Sequence, residues 1–133
     1  MSVNSMKAGG DIIVSTFVMP STTEDHTVLQ GTAGSIPCGI AQNAGRLNPD
    51  PNYSQANISL AAKDGEAVNV HTIGETSVDL LVGATWAAGD FLKIKTGGGG
   101  EPATTGTWYG ARALSAGVTG TLCPVIPMVG YYP

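Results

Sequence analysis

Charged residues are scarce in this chain. Asp, Glu, Lys and Arg make up 12% of its 133 residues, whereas about 25% is typical of globular domains. The six basic residues are scattered and the net charge is −4, so the clustered Lys and Arg that a phosphate-binding surface needs are missing. We expect no nucleic-acid partner. So little charge suits a surface largely covered by partners, although a polar, uncharged surface would explain it equally well.

Long apolar runs and cysteine pairs are missing too. No segment approaches the roughly 20 apolar residues of a membrane span, and the opening MSVNSMKAGGDIIVSTFVM lacks the apolar core of a signal peptide. We therefore expect no membrane partner. Two cysteines, Cys38 and Cys123, cannot define a disulfide framework. They are predicted to be small buried thiols, with a bond between them as the alternative.

Recognisable chemical motifs are also missing. His26 and His71 have no neighbouring ligands of the kind a metal site requires, and no Gly-x-Ser-x-Gly nucleophile motif is present. The run GGGG at 97–100 lacks the Lys-Ser/Thr of a phosphate loop, and we predict a mobile loop tip at 97–101. The sequence thus predicts no catalytic residues, no metal and no cofactor, and we expect that the protein is not an enzyme.

Short segments rich in β-branched or alternating apolar residues are abundant. The chain has 19 glycines and 8 prolines, many of which lie between these segments. None of the segments shows the sustained i, i+3, i+4, i+7 apolar pattern of an amphipathic helix. Strands are predicted within 11–19, 35–42, 67–73, 77–83, 91–95, 107–114 and 121–129. Segment 21–28 is turn-like, and 27–30 could begin another strand. Segment 56–63 fits a short helix or a strand. About seven short strands at this spacing predict an all-β barrel or sandwich.

Two short sequence motifs each occur twice in similar form. GEAVNVHTIG at 65–74 resembles GTLCPVIPMVG at 120–130, and GIAQNAG at 39–45 resembles GARALSAG at 110–117. We expect two similar strand–turn–strand units that pair across a small barrel, each covering the apolar face of the other. Pro124 and Pro127 in the last strand favour an edge or a bulge.

The predicted organisation is a flexible N-terminal arm, residues 1–10, followed by a single all-β domain, residues 11–133. Within that domain, 46–64 forms a long excursion that begins with RLNPDPNYSQ. Such loops are often functional, but a tolerated surface insertion is equally consistent with the sequence.

The larger aromatic residues divide into two groups. Trp86 is predicted to belong to the core. Trp108 and Tyr109 fit a core or an interface, and Tyr131 and Tyr132 end the chain. Because interfaces are enriched in Trp and Tyr, we predict an oligomer or capsid interface that includes Trp108, Tyr109, Tyr131 and Tyr132.

The order of several motifs resembles the small capsid cement, or head decoration, proteins of tailed bacteriophages. The resemblance spans about residues 11–130. It is carried by Gly65-Glu66-x-Val68-x-Val70, by the turn W-x-x-G-D-x-L from Trp86 to Leu92, and by the small residues Gly110, Ala116 and Gly117 before the final strand. Segment 46–64 is longer than the family's usual connection, and the tail PMVGYYP lies outside the pattern.

This resemblance implies a small β-barrel or β-tulip-like domain with long Gly- and Pro-rich loops. It implies a non-enzymatic protein that binds the outer surface of the expanded phage head and clamps neighbouring subunits of the major capsid protein. A homotrimer is favoured and a dimer is the alternative. The expected location is the outer capsid surface of the virion, after assembly in the host cytoplasm.

The predicted arm is the candidate for strand addition to a capsid edge. Its contacts would come from Ser2, Val3, Asn4, Ser5, Met6 and Lys7, and its removal is expected to leave the melting of the domain nearly unchanged. Two rival functions remain at this stage. They are a carbohydrate-binding module, suggested by the β architecture and the aromatic residues, and a small β-barrel enzyme.

Overall fold

The chain folds into strands joined by turns and loops. A computed structural model describes residues 3–42, 60–72 and 77–133, and none of these residues lies in a helix. No helix that could cross a membrane is therefore found in the described ranges. The all-β prediction is confirmed, with twelve strands rather than about seven. They are β1 (Val3–Ala8), β2 (Ile12–Ile13), β3 (Phe17–Pro20), β4 (Thr27–Gln30), β5 (Gly39–Gln42), β6 (Leu60–Ala62), β7 (Ala67–His71), β8 (Val78–Leu81), β9 (Phe91–Ile94), β10 (Gly100–Pro102), β11 (Thr107–Ala113) and β12 (Leu122–Tyr132).

Five of these strands form a closed barrel in the order β1-β4-β3-β5-β7. Strand β1 closes it, because β1 pairs antiparallel with β7 from Val3 opposite His71 to Lys7 opposite Ala67. On its other side β1 pairs parallel with β4 through Lys7 and Ala8. The interior is lined by small and β-branched side chains, and β2 and β6 pair with each other and add Ile12, Ala61 and Ala62 to the same core.

The prediction of a flexible arm over residues 1–10 is wrong for β1. Ala8 is fully buried and Met6 packs against the barrel core, so these two alternate residues of the strand point inward. The polar residues between them gave the segment the composition of a loose terminus. The backbone hydrogen bonds that hold it come from β7, about sixty residues away in the chain, and no local pattern reports such a partner.

The remaining five strands form a second sheet in the order β10-β9-β11-β12-β8. Its two outer strands approach each other, because Val82, next to the end of β8, forms a parallel bridge with Gly100 in β10. The sheet therefore curls around its own core. That core contains Leu80, Val82, Trp86, Leu92, Ile94, Ala111, Ala113 and Val125. Trp86 is 3% exposed, so its predicted core position is confirmed.

Strands β3 and β5 form a wall shared by the two cores. Phe17 and Ile40 are opposite each other in the ladder and pack into the core of the second sheet. Their neighbours Val18 and Ala41 point the other way, into the barrel. Both faces of this wall are buried, so the barrel and the second sheet are packed against one another.

A half-buried glutamine fixes the junction between the barrel and the second sheet. The side-chain oxygen of Gln30 accepts a hydrogen bond from Ile13 N at 2.8 Å, and its amide nitrogen donates to Thr16 Oγ1 at 2.8 Å and to the Phe17 carbonyl at 3.2 Å. Beside it, Phe17 N donates to the carbonyl of Gly98 at 2.8 Å. A Cβ at Gly98 would collide with the Gln30 amide, so only glycine fits there.

One turn recurs along the chain, at 63–66, 87–90, 104–107 and 118–121. In each copy the N–H of the fourth residue donates to the carbonyl of the first. The third residue is a glycine with φ between +84° and +89°, as a type II turn requires. The first copy also holds the end of β1: Gly65 N donates to the Ala8 carbonyl at 2.7 Å, and Ala8 N donates to the Glu66 carbonyl at 2.8 Å.

The strands that contain the repeated sequence motifs do pair, but in different sheets. β5 pairs with β7 in the barrel, and β11 pairs with β12 in the second sheet, so the two units do not pair with each other across one barrel. The loop tip predicted at 97–101 is also wrong, because Gly98, Gly99 and Gly100 are buried and Gly100 begins β10.

The last strand and the long excursion need two further corrections. β12 lies between β11 and β8 rather than at an edge. Pro124 pairs with Asp79 of β8, and Pro127 pairs with Ala111 of β11 next to the extra residue of β12. The bulge alternative of the prediction is therefore confirmed for Pro127. Of the excursion at 46–64, residues 46–59 lie outside the described residues, whereas Leu60–Ala62 is strand β6.

Candidate interaction surface

The predicted interface residues meet at one end of the β11–β12 ribbon. Trp108 lies directly opposite Tyr131 in the ladder, and their rings contact edge to face at 5.4 Å between centroids. Trp108 is 39% exposed and Tyr131 is 52% exposed. These two aromatic side chains are the part of the predicted interface that is open to a partner.

Tyr109 and Tyr132 lie on the opposite face of the ribbon and already have a partner within the chain. Both contact the ring of Phe91, at 4.6 Å and 5.9 Å between centroids. The guanidinium of Arg112 lies 5.1 Å from the centre of the same ring, a cation–π arrangement. All three aromatic side chains are half-buried, so this cluster, absent from the sequence prediction, serves first to pack the outside of the second sheet.

A bulge interrupts the ladder beside these residues. The register between β11 and β12 shifts between Tyr109 and Ala111, and the extra residue lies in β12, where three steps from Gly130 to Pro127 match two steps in β11. Tyr109 and Arg112 both contact the ring of Phe91, although they are three positions apart in β11.

A pocket adjoins the exposed tryptophan. It has a volume of about 160 Å³, and its walls include Gly34 and Ser35 from the loop before β5, Lys93 from β9, Glu101 from β10, and Thr107 and Trp108 from β11. Lys93 and Glu101 are opposite each other in the β9–β10 ladder, yet they form no ion pair. The Lys93 ammonium instead donates to Thr104 Oγ1 at 3.1 Å.

The carboxylate of Glu101 has no partner of its own. Across residues 3–42, 60–72 and 77–133, neither a hydrogen bond nor an ion pair involves it, and the side chain is half-buried. Carboxylates elsewhere in the described part of the chain have partners: Asp90 accepts a hydrogen bond from Ala87 N at 2.9 Å, and Glu24 pairs with Lys7 at 3.1 Å. Sequence reasoning missed Glu101 because it places the residue at a loop tip.

A second, wider cavity of about 320 Å³ lies beside the barrel. Met6, Val28 and Cys38 contribute its apolar wall, and Glu24, Asp25 and His26 line it as well. Burial raises the pKa of the Cys38 thiol above its ordinary value, and a backbone hydrogen bond opposes this only partly. Cys38 and Cys123 are both free thiols that pack against different cores, so the alternative of a bond between them is excluded.

The two histidines lie apart. His26 is exposed in the turn before β4, with φ +51°, and His71 ends β7. Burial lowers the pKa of His71 below its ordinary value. No group of three or more His, Cys, Asp or Glu side chains that could hold a metal occurs among the described residues.

The residues predicted to bind a capsid edge through the arm are placed differently. Ser2 lies outside the described residues, and Val3, Asn4, Ser5, Met6 and Lys7 are in β1. Because β1 pairs with β7 over its first five residues, it is a strand of the barrel and not a free arm. Contact of these residues with a capsid stays a prediction.

Comparison with solved structures identifies a protein of the same architecture. The head fiber gp8.5 N base of bacteriophage phi29 superposes with a TM-score of 0.66 over 96% of this chain and 93% of that one, at 14% sequence identity. The two chains share a fold. At this identity the head fiber base establishes the architecture and nothing finer.

Comparisons of the sequence find no match. No protein-family model matches the chain, and no curated protein matches it in sequence. The similarity to the head fiber base is one of fold, and it extends over almost the full length of both chains. Its match includes strands that sequence reasoning missed, since 96% coverage cannot be reached without most of β1 to β12.

Proposed function

We propose that this protein is a structural component of a bacteriophage head. The observation that carries the proposal is the fold shared with a phage head fiber base over 96% of the chain. The order of motifs from Gly65 to Gly117 supports it independently, because that order resembles head decoration proteins. Both lines of support lead to a protein that acts at a phage head.

The finer proposal is that the protein attaches to the outer surface of the expanded head, contacts the major capsid protein and clamps neighbouring subunits. We favour a homotrimer, with a dimer as the alternative, and a role by binding rather than by catalysis. An oligomer that grips several capsid subunits at once gains avidity from effective concentration, so each contact can be small. A surface with few charged groups suits such repeated contacts.

Binding to purified heads tests the proposal. Expanded heads that lack the protein are incubated with it and sedimented, with unexpanded heads as the control. We expect saturable binding at a fixed ratio to the capsid subunits of expanded heads. Native mass spectrometry of the free and head-bound protein gives the oligomeric state. No binding to expanded heads would contradict the proposed function, and binding that leaves the rupture temperature of the heads unchanged would contradict clamping alone.

The aromatic interface stays a prediction and has a matched control within one strand. Tyr131 and Leu122 lie at opposite ends of β12 and are 52% and 51% exposed. Tyr131→Ala is expected to weaken attachment about tenfold, as loss of an aromatic contact at an interface does. Leu122→Ala is expected to bind like the parent. Equal binding by the two variants would show that the aromatic end is not the contact surface.

A further inference from the structure

We infer that the pocket beside Trp108 is a binding site for a neutral sugar ring. The site comprises Trp108, Glu101, Lys93 and the backbone of the turn at Gly34 and Ser35. This inference goes beyond the proposed head attachment, because it assigns the pocket a small polyhydroxylated ligand rather than a protein partner.

The aromatic wall supplies a flat apolar surface. The edge-to-face contact with Tyr131 covers at most one face of the indole, and Trp108 lines the pocket whereas Tyr131 does not. The C–H face of a pyranose can pack against such a ring. Within the described ranges the Trp108 indole N–H has no hydrogen-bond acceptor, whereas the indole of Trp86 donates to the Ser115 carbonyl at 2.9 Å.

The two charged walls determine the charge of the ligand. A simple cation at Glu101 would lie near the ammonium of Lys93, and a simple anion at Lys93 would lie near the carboxylate of Glu101. A neutral ligand that both donates and accepts hydrogen bonds can use both groups. A carboxylate offers about four acceptor positions and a lysine ammonium offers three donors, of which Thr104 occupies one.

The unpartnered state of Glu101 points to a donor from outside the chain. Asp25, Asp64 and Asp79 also have no side-chain partner in the described part of the chain, but they are exposed and hydrated, whereas Glu101 is half-buried. Its oxygens stay accessible to solvent, because no buried side-chain oxygen or nitrogen among the described residues lacks a hydrogen-bond partner. Ligand hydroxyls in the pocket, which Glu101 lines, could therefore donate to it, and such charge-assisted hydrogen bonds are the stronger kind.

The pocket volume limits the ligand to one ring. About 160 Å³ lies below the roughly 300–1,000 Å³ of pockets that enclose drug-sized ligands. The site would therefore hold a single sugar residue, such as the end of a glycan chain, and each contact would be weak. Affinities in the millimolar range are expected for so few contacts, and many copies on one particle would raise the avidity.

The two tryptophans of the chain provide the measurement. Their indole N–H signals are followed in proton–nitrogen correlation spectra and assigned with Trp108→Phe. Glucose, galactose, mannose and N-acetylglucosamine are each added at millimolar concentrations. We expect at least one of them to shift the Trp108 signal along a saturable curve and to leave the buried Trp86 signal in place. The Trp86 signal also reports whether each variant is folded.

Two carboxylate variants make the test specific. Glu101→Gln keeps the shape of the side chain and is expected to weaken binding at least about fivefold. Asp25→Asn, which removes an unpartnered carboxylate beside the other cavity, is expected to bind like the parent. The inference is overturned if none of the four sugars shifts Trp108, if Glu101→Gln binds as tightly as the parent, or if glycine shifts the signal and the sugars do not, which would indicate a zwitterionic ligand. None of these outcomes bears on attachment to heads.

Discussion

His71 lies where the barrel closes. It ends β7, opposite Val3 of β1 on one side and Ile40 of β5 on the other. Burial disfavours the charged imidazolium and lowers the pKa of His71 from 6.5. The sequence marks this residue only as a histidine in an alternating strand, and its partners in two other strands account for its titration.

Because of His71, the free energy of unfolding is predicted to decrease when the pH is lowered. Between the lowered pKa in the folded state and about 6.5 in the unfolded state, the unfolded chain binds more protons. The free energy of unfolding should decrease as the pH falls through 6.5 and level off below the pKa of the folded state. Urea unfolding at about pH 7.5 and 5.5 measures this decrease.

His71→Gln is expected to reduce that loss of stability, because glutamine does not titrate. The matched control is His26→Asn, since asparagine tolerates the left-handed backbone at that position, and it should leave the part of the pH dependence assigned to His71 in place. If His71→Gln retains the full pH dependence of the parent, the assignment is wrong.

Some residue positions can be predicted from the local sequence pattern and others cannot. Val68 and Val70 alternate with polar neighbours and are both fully buried, as the pattern in AVNVH predicts. Glu101 and Lys93 become a site only through the β9–β10 hairpin. Their chemistry depends on a pairing that the GGGG run conceals, because glycine-rich sequence reads as a loop and here part of it is strand.

At the scale of elements, β1 has the composition of a loose terminus but is a strand of the barrel. It contributes five residue pairs to β7 and two to β4, and it contains the fully buried Ala8. Without it, the edge of β7 from Ala67 to His71 would lose its ladder and the barrel would open. The N-terminal strand β1 is thus part of the barrel and its core.

Deletion of residues 1–8 is therefore expected to destabilise the protein by more than about 3 kcal/mol, at roughly 1 kcal/mol for each strand hydrogen bond lost. Thermal melting followed by circular dichroism measures the loss. Lys7→Ala is the control, because it breaks only an exposed ion pair with Glu24 and such pairs contribute little. Melting of the truncated chain at the parent's temperature would restore the flexible-arm interpretation.

Turns are the elements that the sequence specifies best. The tight turn predicted at 88–90 is present, and its glycine, Gly89, has φ +87°. The same x-x-Gly-polar arrangement recurs at 63–66, 104–107 and 118–121. The requirement for glycine at a positive φ is local, so it can be read from four consecutive residues. Which strand each turn then bonds to is a property of the whole fold.

For the whole molecule, the shared wall predicts that barrel and second sheet unfold together. Phe17 belongs to a barrel strand but lies fully buried in the core of the second sheet. Phe17→Ala is expected to cost about 3–5 kcal/mol and to lower one common midpoint. In a Trp108→Phe background, Trp86 fluorescence reports the second sheet while circular dichroism reports all strands, and the two midpoints should coincide.

The other phenylalanine is the control for this experiment. Phe91 packs on the outside of the second sheet and is only half-buried, so Phe91→Ala should cost less than Phe17→Ala. Two separate transitions in the Phe17→Ala variant would show that barrel and second sheet are independent units.

The sequence by itself determined the all-β class, the positions of most strands and glycine turns, and the burial of Trp86, because side-chain alternation and positive-φ glycines act over a few residues. Only the tertiary structure decided that β1 closes a barrel, that Phe17 and Val18 serve two cores, and that Trp108 and Glu101 share a pocket. These features depend on pairing between strands far apart in the chain. Such pairing is selected by the free energy of the whole packed molecule, which no short segment encodes.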